Sequence, residues 1–192
     1  PPLIYWAQAA AFLVLGESEA AARLPSLLAA LALLGLVAWW AGLRPGRAAP
    51  AGAVAALVTT PLFFACARLA ITDMTLALCI SATLLIWHEA VARAAASAAR
   101  RRLSMAAALS CGLAVLAKGP VGAVLPALVI AATAAASRKG GLITRRGTVL
   151  ALAGIILVTG PWLAGLAGRI GLDGIMDLLH REGIERVVWG LD

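Results

Sequence analysis

An all-α, polytopic transmembrane helix bundle, with short juxtamembrane helices on its outer face, is the fold class this 192-residue sequence predicts. Hydrophobic residues make up 62% of the chain and charged ones 13%, at a mean hydropathy of +0.96. Soluble domains carry roughly half apolar residues and about a quarter charged ones. The apolar residues fall into six runs that could span a hydrocarbon core about 30 Å thick as helices of about 20 residues, shorter where the ends dip inward. Between the runs stand Gly, Pro and basic clusters, which punctuate turns.

The opening stretch, "PPLIYWAQAAAFLVLGESEAAAR", has about 14 apolar-rich residues before Gly16. That is short for a span and suits an interfacial helix with Tyr5 and Trp6 at headgroup level. Residues 1–23 therefore read as a juxtamembrane helix and external loop. The six spans are expected near 24–43, 51–71, 73–92, 103–118, 120–136 and 147–168, so that 24–168 forms the transmembrane region. The separators are "RPGRAAP", "TD", "ARAAASAARRR", "KGP" and "SRKGGLITRR". Residues 169–192 mix charges with Ile175, Leu178, Leu179, Val187, Val188 and Trp189 at roughly helical spacing, the pattern of an amphipathic segment lying on the outer surface. The chain starts at Pro1, without Met or a basic n-region before an apolar core, and reads as an internal fragment.

Orientation follows from Lys and Arg, which are enriched in cytoplasmic loops. Alternate loops hold Arg44, Arg47, Arg93, Arg100, Arg101, Arg102, Arg138, Lys139, Arg145 and Arg146, 10 of the 16 basic residues. Eight of the nine acidic residues fall on the opposite face, and only Glu89 lies near the basic one. The basic loops are thus expected in the cytoplasm, with Asp73, Lys118 and the tail outside.

The net charge of +7 would suggest nucleic acid in a soluble chain, but here it sits in short clusters between apolar runs, with no basic groove-reading face. No nucleic-acid partner is expected. Cys66, Cys79 and Cys111 each lie in an apolar run without metal-ligand spacing, and read as small buried hydrophobes.

Arg23, Arg68, Asp73, Lys118, His180 and Arg186 collect at the outer face. Ionisable groups at membrane depth usually face a cavity or the bundle interior, which makes them functional candidates. Each also has a plainer reading. Arg23 serves equally as an interfacial anchor, and Arg68 with Asp73 as a structural ion pair. His180 reads as well as a solvated histidine as it does a ligand or proton-transfer group. Lys118 suits an anchor, yet its Gly119-Pro120 turn is then unexplained; on a rigid hairpin it would hold an anion as a point charge. His88 and Glu89 read as interfacial, at the cytoplasmic end. Cations near one carboxylate under an external face suit a phosphate-bearing lipid substrate, with the carboxylate as general base toward an acceptor hydroxyl.

The motifs "PPLIYW", "EAAARLPSLLAAL", "ARLAITDM", "LAKGPVG", "GPWL" and "HREGIERV", in that order, resemble the bacterial glycosyltransferase 39-like family over essentially the whole chain. That family comprises integral-membrane enzymes related to protein O-mannosyltransferases and aminoarabinose transferases. The resemblance implies a partial GT-C architecture and a glycosyltransferase at the bacterial inner membrane. Its donor would be a polyprenyl-phosphate sugar and its acceptor a lipid, glycan or protein on the periplasmic side. By motif, Asp73 and Lys118 match polar positions lining the family's active-site cavity. Arg23 and Arg68 join them as substrate-binding candidates. His180 and Arg186 resemble external-loop positions near the donor phosphate or a divalent metal ion, for which His180 is the candidate ligand. The family's principal catalytic carboxylate lies upstream of Pro1, so residues 1–192 alone are expected to be inactive.

Two other classes compete. A transporter or flippase for an anionic lipid or solute would continue polar residues through both leaflets, whereas here they concentrate on one side. A noncatalytic lipid-phosphate scaffold would tolerate loss of Asp73.

Overall fold

A computed structural model describes residues 2–44, 49–94, 97–137, 142 and 144–179. Among them are eight helices: α1 (Pro2–Leu15), α2 (Glu19–Gly42), α3 (Ala49–Val58), α4 (Pro61–Arg68), α5 (Asp73–Val91), α6 (Ala98–Lys118), α7 (Val121–Ser137) and α8 (Arg145–Leu179). The fold is an all-helical bundle, as expected.

Local chemistry sets the helix ends. Ser18 caps α2 by accepting from the Ala21 amide at 3.2 Å, and Ser97 caps α6 by accepting from Arg100 at 3.1 Å. α1 stops at Gly16, which takes φ 77°, a left-handed conformation that costs glycine little. Gln8 Nε2 donates to the Ala22 carbonyl at 3.1 Å, tying α1 to α2 just ahead of Pro25.

α6 is the spine of the bundle, with α5 along one side and α8 along another. Small residues make this possible. A Cβ on Gly154 of α8 would lie 2.6 Å from the Ala108 carbonyl oxygen, and one on Gly112 would lie 2.8 Å from the Gly154 carbonyl. Between membrane helices close approach of this kind replaces the hydrophobic drive, because lipid is as apolar as leucine. Ala30, Leu33, Ala67 and Met74 form one core where α2, α4 and α5 meet. Leu76, Cys79, Ala114 and Ala117 form another between α5 and α6, with Leu3 of α1 packed against it. Cys79 and Cys111 are buried and Cys66 is half-buried; all three are free. Leu27, Leu28, Leu31, Ile156 and Leu157 point outward, as side chains facing lipid do.

Among the described residues three helices are long and apolar enough to cross a membrane: Glu19–Gly42, Asp73–Val91 and Gly147–Gly171. The run expected to cross at 51–71 is two helices bent by 69°, a broken span. Pro61 accounts for the break. It lacks an amide hydrogen, and it holds Thr60 in extended backbone at ψ 116°, while Thr59 and Thr60 turn their hydroxyls back onto the Ala55 and Ala56 carbonyls. α6 is 21 residues long but opens with Arg100, Arg101 and Arg102, and α7 has 17 residues. These two match the expected runs in position while standing shorter or more charged than a full span. α8 continues past 168 and breaks at Gly171 (φ 72°, ψ 173°), close to the boundary expected at 169. The side-chain pattern expected in 175–192 lies outside the residues described at that level.

Candidate active site

α5 and α6 run antiparallel, so the first residue of α5, Asp73, and the last of α6, Lys118, reach the same end of the bundle. Each stands where its helix favours it: a carboxylate at the positive N-terminus, an ammonium at the negative C-terminus. Lys118 is held there by the turn that follows. The Gly119 amide donates to the Val115 carbonyl at 2.7 Å with φ 68°, and Pro120 then begins the return into α7. Gly122 of α7 sits directly against the Ala114 backbone, which locks the hairpin.

Lys118 Nζ donates to Asp73 Oδ1 across 45 residues of sequence. The side chains remain 45% and 46% exposed, so Oδ2 and the remaining ammonium hydrogens stay open to a ligand. The expectation for Lys118 is thereby refined, since it acts on a carboxylate. The plainer reading that joined Asp73 to Arg68 is not what the structure shows. Arg68, the last residue of α4, lies over the Phe64 ring at 5.2 Å from its centroid. Arg23 pairs with Glu19 one turn earlier on α2. It lies near the Asp73 loop nonetheless, because Ser26, three residues on, donates to the Ile71 carbonyl at 3.2 Å. His180 and Arg186 lie outside the described residues. Among those described, no group of three His, Cys, Asp or Glu side chains converges to hold a metal ion.

At the opposite end is a second cluster that the sequence reading treated as merely interfacial. Arg44 donates to Glu89 Oε1 at 2.8 Å and to His88 Nδ1 at 3.1 Å. Its guanidinium lies 4.3 Å from the Trp40 ring centroid, and His88 meets the same indole edge-on at 5.9 Å. Glu89 is only 7% exposed, which corrects the interfacial reading: this carboxylate is interior and paired. The sequence signal was there, since Glu89 is the one acid between Met74 and Leu172.

A multi-pass helical membrane protein with a carboxylate–ammonium pair at one end of its bundle is the class that fold and site define. The family model for dolichyl-phosphate-mannose-protein mannosyltransferase matches residues 1–164, and the chain belongs to that family of membrane glycosyltransferases. Its structure is similar to the crystal structure of ArnT from Cupriavidus metallidurans in the apo state, with a TM-score of 0.81 and 31% identity over 88% of this chain and 32% of that one. It is similar also to ArnT from the same organism bound to undecaprenyl phosphate, with a TM-score of 0.85 and 29% identity over 96% of this chain and 34% of that one. These likenesses bear out the glycosyltransferase 39-like resemblance and the GT-C fold. The chain spans about a third of the length of the solved relatives it matches. No curated protein matches it.

Proposed function

We propose that the protein moves a sugar from a polyprenyl-phosphate donor to an acceptor on the external side of the inner membrane. The observation that carries this reading is the Asp73–Lys118 pair, half-exposed at the helix ends. The ArnT structure with bound undecaprenyl phosphate supports the choice of lipid carrier.

In this reading Lys118 faces the donor phosphate. As the C1–O bond to phosphate breaks, the electron pair stays on the phosphate oxygen, and Lys118 neutralises the charge that develops there. The acceptor hydroxyl attacks C1 from the opposite side and its proton passes to a carboxylate, so the displacement inverts the anomeric centre. Asp73 fixes the ammonium through Oδ1 and leaves Oδ2 to accept a hydrogen bond or proton from the acceptor. Arg23 and Arg68 are assigned to substrate binding, together with His180 and Arg186. His180 is the residue proposed to hold a divalent ion, and titrating a chelator against the transfer rate tests that requirement.

The test is sugar transfer by the full-length protein in membrane vesicles, using a panel of labelled polyprenyl-phosphate sugars, with Asp73→Asn and Lys118→Ala beside wild type. Loss of transfer in both variants at unchanged folding supports the reading. Unchanged transfer in both refutes it, and no transfer from any donor favours transport or lipid binding.

A further inference from the structure

α7 and α8 both pack on α6 but leave a cavity of about 760 Å³ between them, floored by α5 and α6. The volume is within the about 300–1,000 Å³ usual for ligand sites. Most of the wall is apolar, from Ile130 and Ile155 up to Cys111. The polar groups gather at one end: Arg100, Arg101, Ser97, Ser104, Thr144 and Thr148. That end is the one occupied by the basic loops, remote from Asp73 and Lys118.

The charge there is unbalanced. Arg93, Arg100, Arg101, Arg102 and Arg145 stand at this end, where the single acid among the described residues is Glu89, which Arg44 engages. Arg100 and Arg101 stand in the opening turn of α6, and α8 also opens there with no acid in its first turn. Cations at helix N-termini oppose the helix dipoles, so both arginines and both dipoles would gain from an anion at this end.

We propose that this cavity binds an anionic phospholipid of the membrane, with its phosphate at Arg100 and Arg101 and one acyl chain along the apolar wall. The dimensions select this occupant. From Arg101 to Cys111 the helix rises about 15 Å, half of a hydrocarbon core about 30 Å thick, which is the depth of one leaflet. A soluble phosphate would leave that wall unused. The inference does not rest on the transfer reading.

Trp87 lines the cavity and supplies the probe. Phosphatidylglycerol with brominated chains is titrated into the full-length protein in mixed micelles, and the quenching lost in Trp87→Phe is taken as the Trp87 signal. Saturable quenching is expected, about thirty-fold tighter than with brominated phosphatidylcholine of the same chains, the effect of about two cationic contacts to an anionic headgroup. Arg100→Gln with Arg101→Gln abolishes that preference, whereas Arg102→Gln, outside the cavity, retains it. Ala151→Phe fills the wall and removes the quenching while keeping both arginines, so it carries the test if the double variant fails to fold. Equal quenching by the two lipids, or an unaltered preference in the folded double variant, overturns the proposal. Absence of Trp87 quenching means that protein fills the cleft. Competition by free glycerol phosphate as strong as by the lipid assigns the site to soluble anions instead.

Discussion

The two ends of the bundle each carry an ion pair that joins helices across 45 residues, and the pairs differ in every other respect. At the Arg44–Glu89 end the carboxylate is 7% exposed and is surrounded by a guanidinium, an imidazole and, at 3.9 Å, Arg93, with an indole under Arg44. Its charge is compensated within the protein, by a hydrogen bond from Arg44 and by Arg93 within ion-pair distance, which is how a structural ion pair is built. At the Asp73–Lys118 end each partner is about half exposed, and among the described residues Asp73 Oδ2 has no hydrogen-bond partner. A pair left open in this way adds little stability and keeps capacity for a substrate. Burial and partner number, rather than charge alone, separate the joint from the site.

The largest effect that follows concerns catalysis at the open end. Asp73→Asn and Lys118→Ala are each expected to lower transfer by about 10²–10⁴-fold with little loss of thermal stability, the range of a removed acid–base or charge-stabilising group. Rates measured beside melting curves check both halves, and a variant with lost stability and intact specific activity would make this end the structural one.

At the closed end the expectation reverses. Glu89→Gln leaves Arg44 without its counter-charge and is expected to cost about 2–3 kcal/mol, at the low side of buried pairs because Arg44 is one-third exposed. Unfolding in mixed micelles measures it, with specific activity per folded molecule unchanged. A rate that falls further than the folded fraction would give Glu89 a functional role.

Gly122→Ala links hairpin geometry to the open end. The added methyl meets the Ala114 backbone, so α7 must shift against α6, at about 1–3 kcal/mol. Because Lys118 ends α6 beside that contact, the donor KM is expected to rise as well. The same substitution at Gly35, where nothing lies within 4 Å, is the control.

The smallest effect is at Arg23. Its pair with Glu19 is a surface i,i+4 contact, and Arg23→Ala is expected to cost no more than about 0.5 kcal/mol. A rise in donor KM without a matching fall in kcat would support the substrate-binding assignment; unchanged kinetics would leave Arg23 as an anchor.

Helix class and most helix positions were legible because apolar runs and Gly-Pro turns act locally. Lys118 before Gly119-Pro120 is such a case, where the sequence already showed a charge held on a hairpin. Pro61 was equally visible, yet its 69° consequence was missed, since proline inside a helical run is tolerated at Pro25, Pro126 and Pro161 of the same chain. Whether a proline bends a helix depends on whether neighbours satisfy the freed carbonyls, which is a matter of packing.

Pairing was less legible. Asp73, Lys118, Arg44 and Glu89 were all conspicuous as charges in apolar surroundings, and the membrane environment follows from hydropathy summed along the chain. Which cation met which carboxylate, and which carboxylate was sealed, depended on the antiparallel packing of α5 on α6 and the parallel packing of α2 beside α5. Arg68 is five residues from Asp73 but lies over Phe64, while Lys118 is 45 residues away and makes the bond. Hydropathy and turn chemistry are properties of short segments and can be read in order. Ion-pair partners and burial are set by helices that meet only after the chain has folded, so the three-dimensional packing alone decides them.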